Sequence, residues 1–120
     1  MLGIDIIETK RIKNAITKYG SRFLTKIFTP NEINYCEQSK TNQKYQRYAA
    51  RFAAKEAVAK VIKNGPEGYF WTEIEVSHHS SGAPMVNLSD RLNKLLDQKS
   101  IEISLSHCKD YATAVALLRS

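Results

Sequence analysis

An α+β fold, an antiparallel sheet packed against helices, is what this sequence predicts, on three observations. Apolar residues recur at helical spacing through most of the first half, from about Glu8 to Lys63. Two-residue alternation takes over in the second half, around Ile74–Val76 and Ile101–Leu105. A short apolar stretch at the start, Leu2 to Ile7, supplies one further strand. The order strand, three helices, two strands, short helix, two strands points to an antiparallel arrangement, since regular strand–helix alternation is missing.

At 120 residues and 42% hydrophobic content, the chain is expected to form one domain over 1–120. No repeat, low-complexity tract or linker divides it. A chain this size buries only about two-thirds of its unfolded surface, so burial against further copies is expected.

The first strand, Leu2 to Ile7, is rich in β-branched residues and reads as buried, with Asp5 out of place in its middle. A helix follows: Ile12, Ala15, Ile16 and Tyr19 form its inward face, and Gly20 supplies the stop. Lys10, Arg11, Asn14 and Lys18 form its outer face, with Arg22 just beyond. Thr29-Pro30-Asn31-Glu32 is a capping box with proline at the first helical position. Lys40 to Lys44 reads as a loop. The most helical stretch, about Lys44 to Lys63, carries Ala49, Ala50, Ala53, Ala54, Ala57 and Ala59. At ~100° per residue, Lys44, Arg47, Arg51 and Lys55 form one basic stripe, and Glu56, Lys60 and Lys63 a second polar strip.

Asn64-Gly65-Pro66-Glu67-Gly68 ends that helix in a tight loop. Ile74 and Val76 alternate with Glu73 and Glu75. Gly82-Ala83-Pro84 leads into a strand near Met85 to Leu88, and Ser89-Asp90 caps a short helix presenting Leu92, Leu95 and Leu96 inward. Ile101, Ile103 and Leu105 alternate with Glu102, Ser104 and Ser106. The turn Cys108-Lys109-Asp110 joins that strand to Tyr111–Leu118.

Lys+Arg 18 against Asp+Glu 12 leaves a net charge of +6, which favours encounter with an acidic partner. Nucleic acid, anionic lipid, an acidic protein and a phosphate-rich cofactor all satisfy that sign. The start lacks a basic segment followed by an apolar one, and no apolar run approaches the roughly 18 residues of a membrane span. A cytoplasmic protein is expected, with Cys36 and Cys108 as free thiols.

Asp5 in an apolar strand needs a compensating positive group. It reads either as a ligand for a hard cation or as a strand-end residue that caps the next helix or pairs with a lysine. Glu56 reads either as chemistry or as an ordinary i,i+4 partner of Lys60. His107, at a strand end, reads as a cleft residue or a structural one. His78 and His79, adjacent in a strand, point to opposite faces and read as structural. Gly65 to Gly68 lacks the spacing of a phosphate-binding fingerprint.

Read together, Gly3-Ile4-Asp5-Ile6, Arg51-Phe52-Ala53-Ala54-Lys55-Glu56-Ala57 with Lys60, and Ser104-Leu105-Ser106-His107 resemble the three blocks of the holo-acyl-carrier-protein synthases, small members of the 4'-phosphopantetheinyl transferase superfamily. Gly82-x-Pro84 and Tyr111-Ala112 are similar too, and the likeness spans the whole chain. Pro66 departs from the more glycine-rich loop of that family.

The resemblance implies transfer of 4'-phosphopantetheine from coenzyme A to a serine of apo-acyl carrier protein. The products are holo-acyl carrier protein and adenosine 3',5'-bisphosphate, in support of fatty acid biosynthesis. It implies Mg2+ held by Asp5 and Glu56, and catalytic roles for Glu56, Lys60 and His107. Coenzyme A contacts fall to Arg51, Lys60, Asn64, Gly65, Pro84, Ser106 and His107. The acidic carrier is expected on Lys10, Arg11, Lys18 and Arg22, and the assembly is expected to be a trimer with sites between subunits. A nucleic-acid module using the basic stripe, with Tyr45 and Tyr48, and a scaffold with a basic helix are the rivals. Neither needs two carboxylates beside the basic groups, so Asp5 and Glu56 separate the readings.

Overall fold

The computed structural model describes residues 1–62 and 71–119. In chain order these form β1 (Leu2–Glu8), α1 (Thr9–Tyr19), α2 (Ser21–Ile27), α3 (Pro30–Glu37), α4 (Gln43–Val61), a 3-10 turn at Trp71–Glu73, β2 (Ile74–His78), β3 (Pro84–Leu88), α5 (Asp90–Leu95), β4 (Ser100–His107) and β5 (Tyr111–Arg119). β1, β5 and β4 make an antiparallel sheet in that order, and β2 and β3 form a separate hairpin. The expected α+β class and antiparallel pairing are observed.

Alanines set how the layers meet. Ala49, Ala50, Ala53, Ala54 and Ala57 of α4 are buried, and so are Ala112, Ala114 and Ala116 along one face of β5. Small side chains on both surfaces bring α4 close to the sheet. The approach is closest at Gly3, where a Cβ would lie 2.2 Å from the Ala57 carbonyl oxygen, so only glycine fits. Gly3 thereby brings β1 against the last turns of α4.

Strand alternation then sorts β1. Gly3, Asp5 and Ile7 pair with Ala116, Ala114 and Ala112 and share the face toward α4. Leu2, Ile4 and Ile6 point the other way and are 68%, 63% and 66% exposed. The strand expected to be buried is therefore buried on one face only. Val115 and Leu117 of β5 extend the same outer apolar face.

Among the described residues four α-helices precede β2 rather than three. Gly20, at φ 58°, is both the C-cap of α1 and the start of α2, so the residue read as a stop is a corner. Phe23, Leu24 and Ile27 turn α2 onto the core. The capping box forms as expected, with Thr29 and Glu32 exchanging bonds between side chain and backbone. Ser89 caps α5 by accepting from the Leu92 N–H. Tyr19 and Leu95, expected inward, are 52% and 51% exposed: the α1–α2 corner and the final turn of a short helix leave each without an opposing surface.

Candidate functional site

The close contact at Gly3 sets Asp5, two residues on, beside the end of α4. Lys60 Nζ donates to the Ile4 carbonyl at 2.6 Å and lies 3.5 Å from Asp5 Oδ1. Among the described residues the ion pair of Lys60 is with Asp5, across the strand–helix boundary, rather than with Glu56 on its own helix. Glu56 stands one turn before Lys60. Burial pushes its carboxyl above the ordinary carboxylate range, the charge of Asp5 pushes it further, and Lys60 opposes both. The two carboxylates thus lie near enough for the charge of Asp5 to act on Glu56, and the half-exposed Lys60 is a counter-charge to both. Among the described residues no cluster of three or more His, Cys, Asp or Glu is placed to hold a metal, so any ion here would have these two as its carboxylate donors.

His107 ends β4 on the same sheet face as Asp5, since it pairs with Ala112 while Asp5 pairs with Ala114. Its Nδ1 lies 3.2 Å from the Gln46 amide oxygen, which leaves Nε2 for another partner. Two strand spacings and two residues separate His107 from Asp5, about 12 Å between Cα atoms. Ser106 points to the opposite, outer face, beside Thr113.

Arg51 and Lys55, expected in an exposed basic stripe, are only 3% and 0% exposed. The helical arithmetic is right, but α3 and β2 cover the Arg51–Lys55 part of that side of α4, while Lys44 and Arg47 stay partly exposed. Arg51 Nη2 lies 3.2 Å from His78 Nδ1, and its guanidinium sits 4.0 Å from the Tyr35 ring centroid, with that of Arg47 at 4.5 Å. Among the described residues Arg51 Nε is buried without a hydrogen-bond partner.

A hollow of about 520 Å³ opens here, lined by Asn31, Tyr35, Arg51, Val76, Ser77, His78 and Gly82. Gly82, of the Gly82-Ala83-Pro84 turn, lines it beside Arg51. Tyr35 and His78 were missed as site residues; the only sequence signal was a tyrosine and a histidine with no marked role. Burial, then the charges of Arg51 and Arg47, lowers the His78 pKa below the ordinary imidazole value. The five residues from Arg51 to Glu56 turn the helix by about 140°, so this hollow and the carboxylate pair lie on different sides of α4. Asn64 and Gly65 lie outside the described residues.

Lys10, Arg11, Asn14 and Lys18 line the exposed side of α1, and Arg22 is exposed on α2. At their corner Tyr19, Arg22, Phe23 and Lys26 enclose a hollow of about 360 Å³. Cys36 is buried, its thiol pushed up to about 12, and Cys108 is exposed; neither is in a disulfide. No helix among the described residues is long and apolar enough to cross a membrane.

A family profile described as the 4'-phosphopantetheinyl transferase superfamily matches residues 1–116. The holo-[acyl-carrier-protein] synthase of Ruminiclostridium cellulolyticum is 48% identical over 122 residues, covering 98% of this chain and 90% of that protein. That of Protochlamydia amoebophila is 43% identical over 120 residues, covering 99% and 97%. Among solved structures, the Helicobacter pylori synthase in complex with coenzyme A superposes with a TM-score of 0.85 at 28% identity, over 98% of this chain and 99% of that one. The Bacillus anthracis synthase in complex with CoA (3',5'-ADP) gives 0.82 at 33% identity, over 99% and 95%.

Proposed function

The chain belongs to the 4'-phosphopantetheinyl transferase superfamily, as a holo-acyl-carrier-protein synthase, and from that premise we propose how its residues divide the work. The reaction joins the carrier serine Oγ to the β-phosphorus of coenzyme A as the hydroxyl proton passes to a general base, Glu56, Asp5 or a bound water. The Pα–O–Pβ bridge breaks, and adenosine 3',5'-bisphosphate departs. One domain over 1–120 carries out this chemistry in the cytoplasm.

The observation that carries the assignment is the juxtaposition of Asp5, Glu56 and Lys60 created by the contact between Gly3 and Ala57. Two hard carboxylates with a surplus of negative charge suit Mg2+, which takes one or two carboxylates and fills its octahedron with water and substrate phosphate. Bound there, the ion supplies Lewis-acid stabilisation of charge on the pyrophosphate. Lys60 adds a positive charge beside the transferring phosphoryl group and draws the pyrophosphate to the carboxylate end of α4. His107, carrying a proton on both ring nitrogens when a phosphate is bound, donates from Nε2 to that phosphate while Nδ1 is held by Gln46.

Arg51, with the turn carrying Pro84, takes the nucleotide end. Its Nε, buried without a hydrogen-bond partner among the described residues, supports an anionic ligand, since a buried donor left unpaired is costly. Asn64, Gly65 and Ser106 complete the coenzyme A contacts in this reading.

A single chain places the Arg51 hollow and the Asp5–Glu56 pair on different sides of α4, and it leaves Leu2, Ile4, Ile6, Val115 and Leu117 in solvent. Both features support a trimer that buries the outer sheet face and joins the nucleotide hollow of one copy to the carboxylate pair of the next. Lys10, Arg11, Lys18 and Arg22 form the basic surface that meets the acidic carrier. Incubation with coenzyme A, Mg2+ and an apo carrier, followed by mass spectrometry of the carrier, tests the function. Gain of one phosphopantetheine is expected, and an unchanged mass overturns the reading.

A further inference from the structure

Lys55, the neighbour of Glu56, is fully buried and has no access to substrate. Its Nζ lies 2.7 Å from Glu32 Oε1 and donates to the carbonyls of Trp71 at 3.1 Å and Ile74 at 2.5 Å. All three ammonium donors are used. Glu32 is equally committed: Oε1 also accepts from the Thr29 N–H at 2.8 Å, and Oε2 accepts from the Val76 N–H at 2.7 Å. The capping box of α3 therefore does more than close a helix end. Through one carboxylate it ties together α3, α4 and β2.

We propose that the Glu32–Lys55 pair is a positioning unit for the reaction, fixing the rotation of α4 so that Glu56 and Lys60 face Asp5. This rests on the role given above to that carboxylate pair. Adjacent helical residues leave the axis about 100° apart, so anchoring Lys55 on one side sets where Glu56 emerges on the other. The contact between Gly3 and Ala57 permits little sliding, which leaves rotation as the freedom to be held. Breaking one partner of a buried pair leaves an uncompensated charge, whereas removing both charges is often tolerated. Stability and positioning can therefore be separated.

The test uses the full chain after the parent is shown to transfer phosphopantetheine; a parent without transfer rejects the functional reading, not this one. Glu32→Asp keeps the charge balance but is one methylene too short to hold both Lys55 and the Val76 N–H. Glu32→Gln combined with Lys55→Met removes both charges. Calorimetric Mg2+ binding in the presence of coenzyme A reads the site without turnover, beside the KM values for coenzyme A and carrier. In both variants Mg2+ affinity falls about tenfold, as when the residues that orient metal ligands are lost. The coenzyme A KM rises and the carrier KM stays, even with the melting midpoint of the double variant restored toward the parent's. A merely structural pair lowers the midpoint and the active fraction only. Parent-like Mg2+ affinity and coenzyme A KM in either folded variant overturn the proposal.

Discussion

The helix α4 carries two charged clusters on its two sides, built from the same residue types and left in opposite states. On the α3–β2 side Glu32 and Lys55 are fully buried, and every donor and acceptor oxygen of the pair has a partner. On the β1 side Asp5 and Glu56 are partly open, carry one lysine between them, and raise the Glu56 pKa by desolvation and mutual repulsion. A satisfied cluster holds the fold, whereas an unsatisfied one holds affinity for something absent from the chain. Lys55 and Glu56, neighbours in one motif, belong to different clusters.

The largest effect expected from breaking this contrast is on turnover. Asp5→Ala and Glu56→Ala each lower transfer by about 10³-fold, with circular dichroism unchanged. Glu56→Gln sharpens the point through stability. A carboxyl whose folded pKa is raised opposes folding once ionised, an effect present above the folded pKa and absent below the unfolded one. Without metal, Glu56→Gln therefore melts higher than the parent at neutral pH, and the gain vanishes on acidification below the ordinary carboxylate range. An equal midpoint at both pH values counts against the raised pKa.

Gly3→Ala is next. Its Cβ would meet the Ala57 carbonyl at 2.2 Å, so overpacking of about 1–3 kcal/mol is expected in a melt. Because β1 must shift, transfer falls as Asp5 moves off Lys60. Ile4→Asp acts on the other face: the residue is exposed in the chain, so the monomer folds, but sedimentation equilibrium shows loss of the trimer and with it activity. A fully active monomer removes the intersubunit reading. The smallest effect is expected at the proposed carrier surface, where Arg11→Glu and Arg22→Glu should raise the carrier KM several-fold, more so at low salt, and leave the coenzyme A KM alone.

The legible parts of this protein were those set by local rules. Glycine at Gly20, the Thr29 capping box, the alanine run of α4 and the alternation of β4 placed most elements. What those rules missed depends on contacts between segments distant in the chain. The helix α2 was hidden because Gly20 serves two helices at once. The stripe Arg51–Lys55 was drawn correctly on the helix surface, but nothing local indicates that α3 and β2 cover it, nor that Glu32 supplies the counter-charge. Asp5 was visible as an anomaly in its strand, and its partners emerged only from the blocks around Glu56 and Lys60. Tyr35 and His78 join Arg51 through tertiary packing that spacing does not encode.

The central claim, that the open carboxylate pair is the Mg2+ site, is tested most directly by isothermal titration of Mg2+ in the presence of coenzyme A. The parent should take up one ion per chain, while Asp5→Asn and Glu56→Gln, folded to the same extent, should show no uptake over the same range. Binding of parental affinity in either variant would contradict the account.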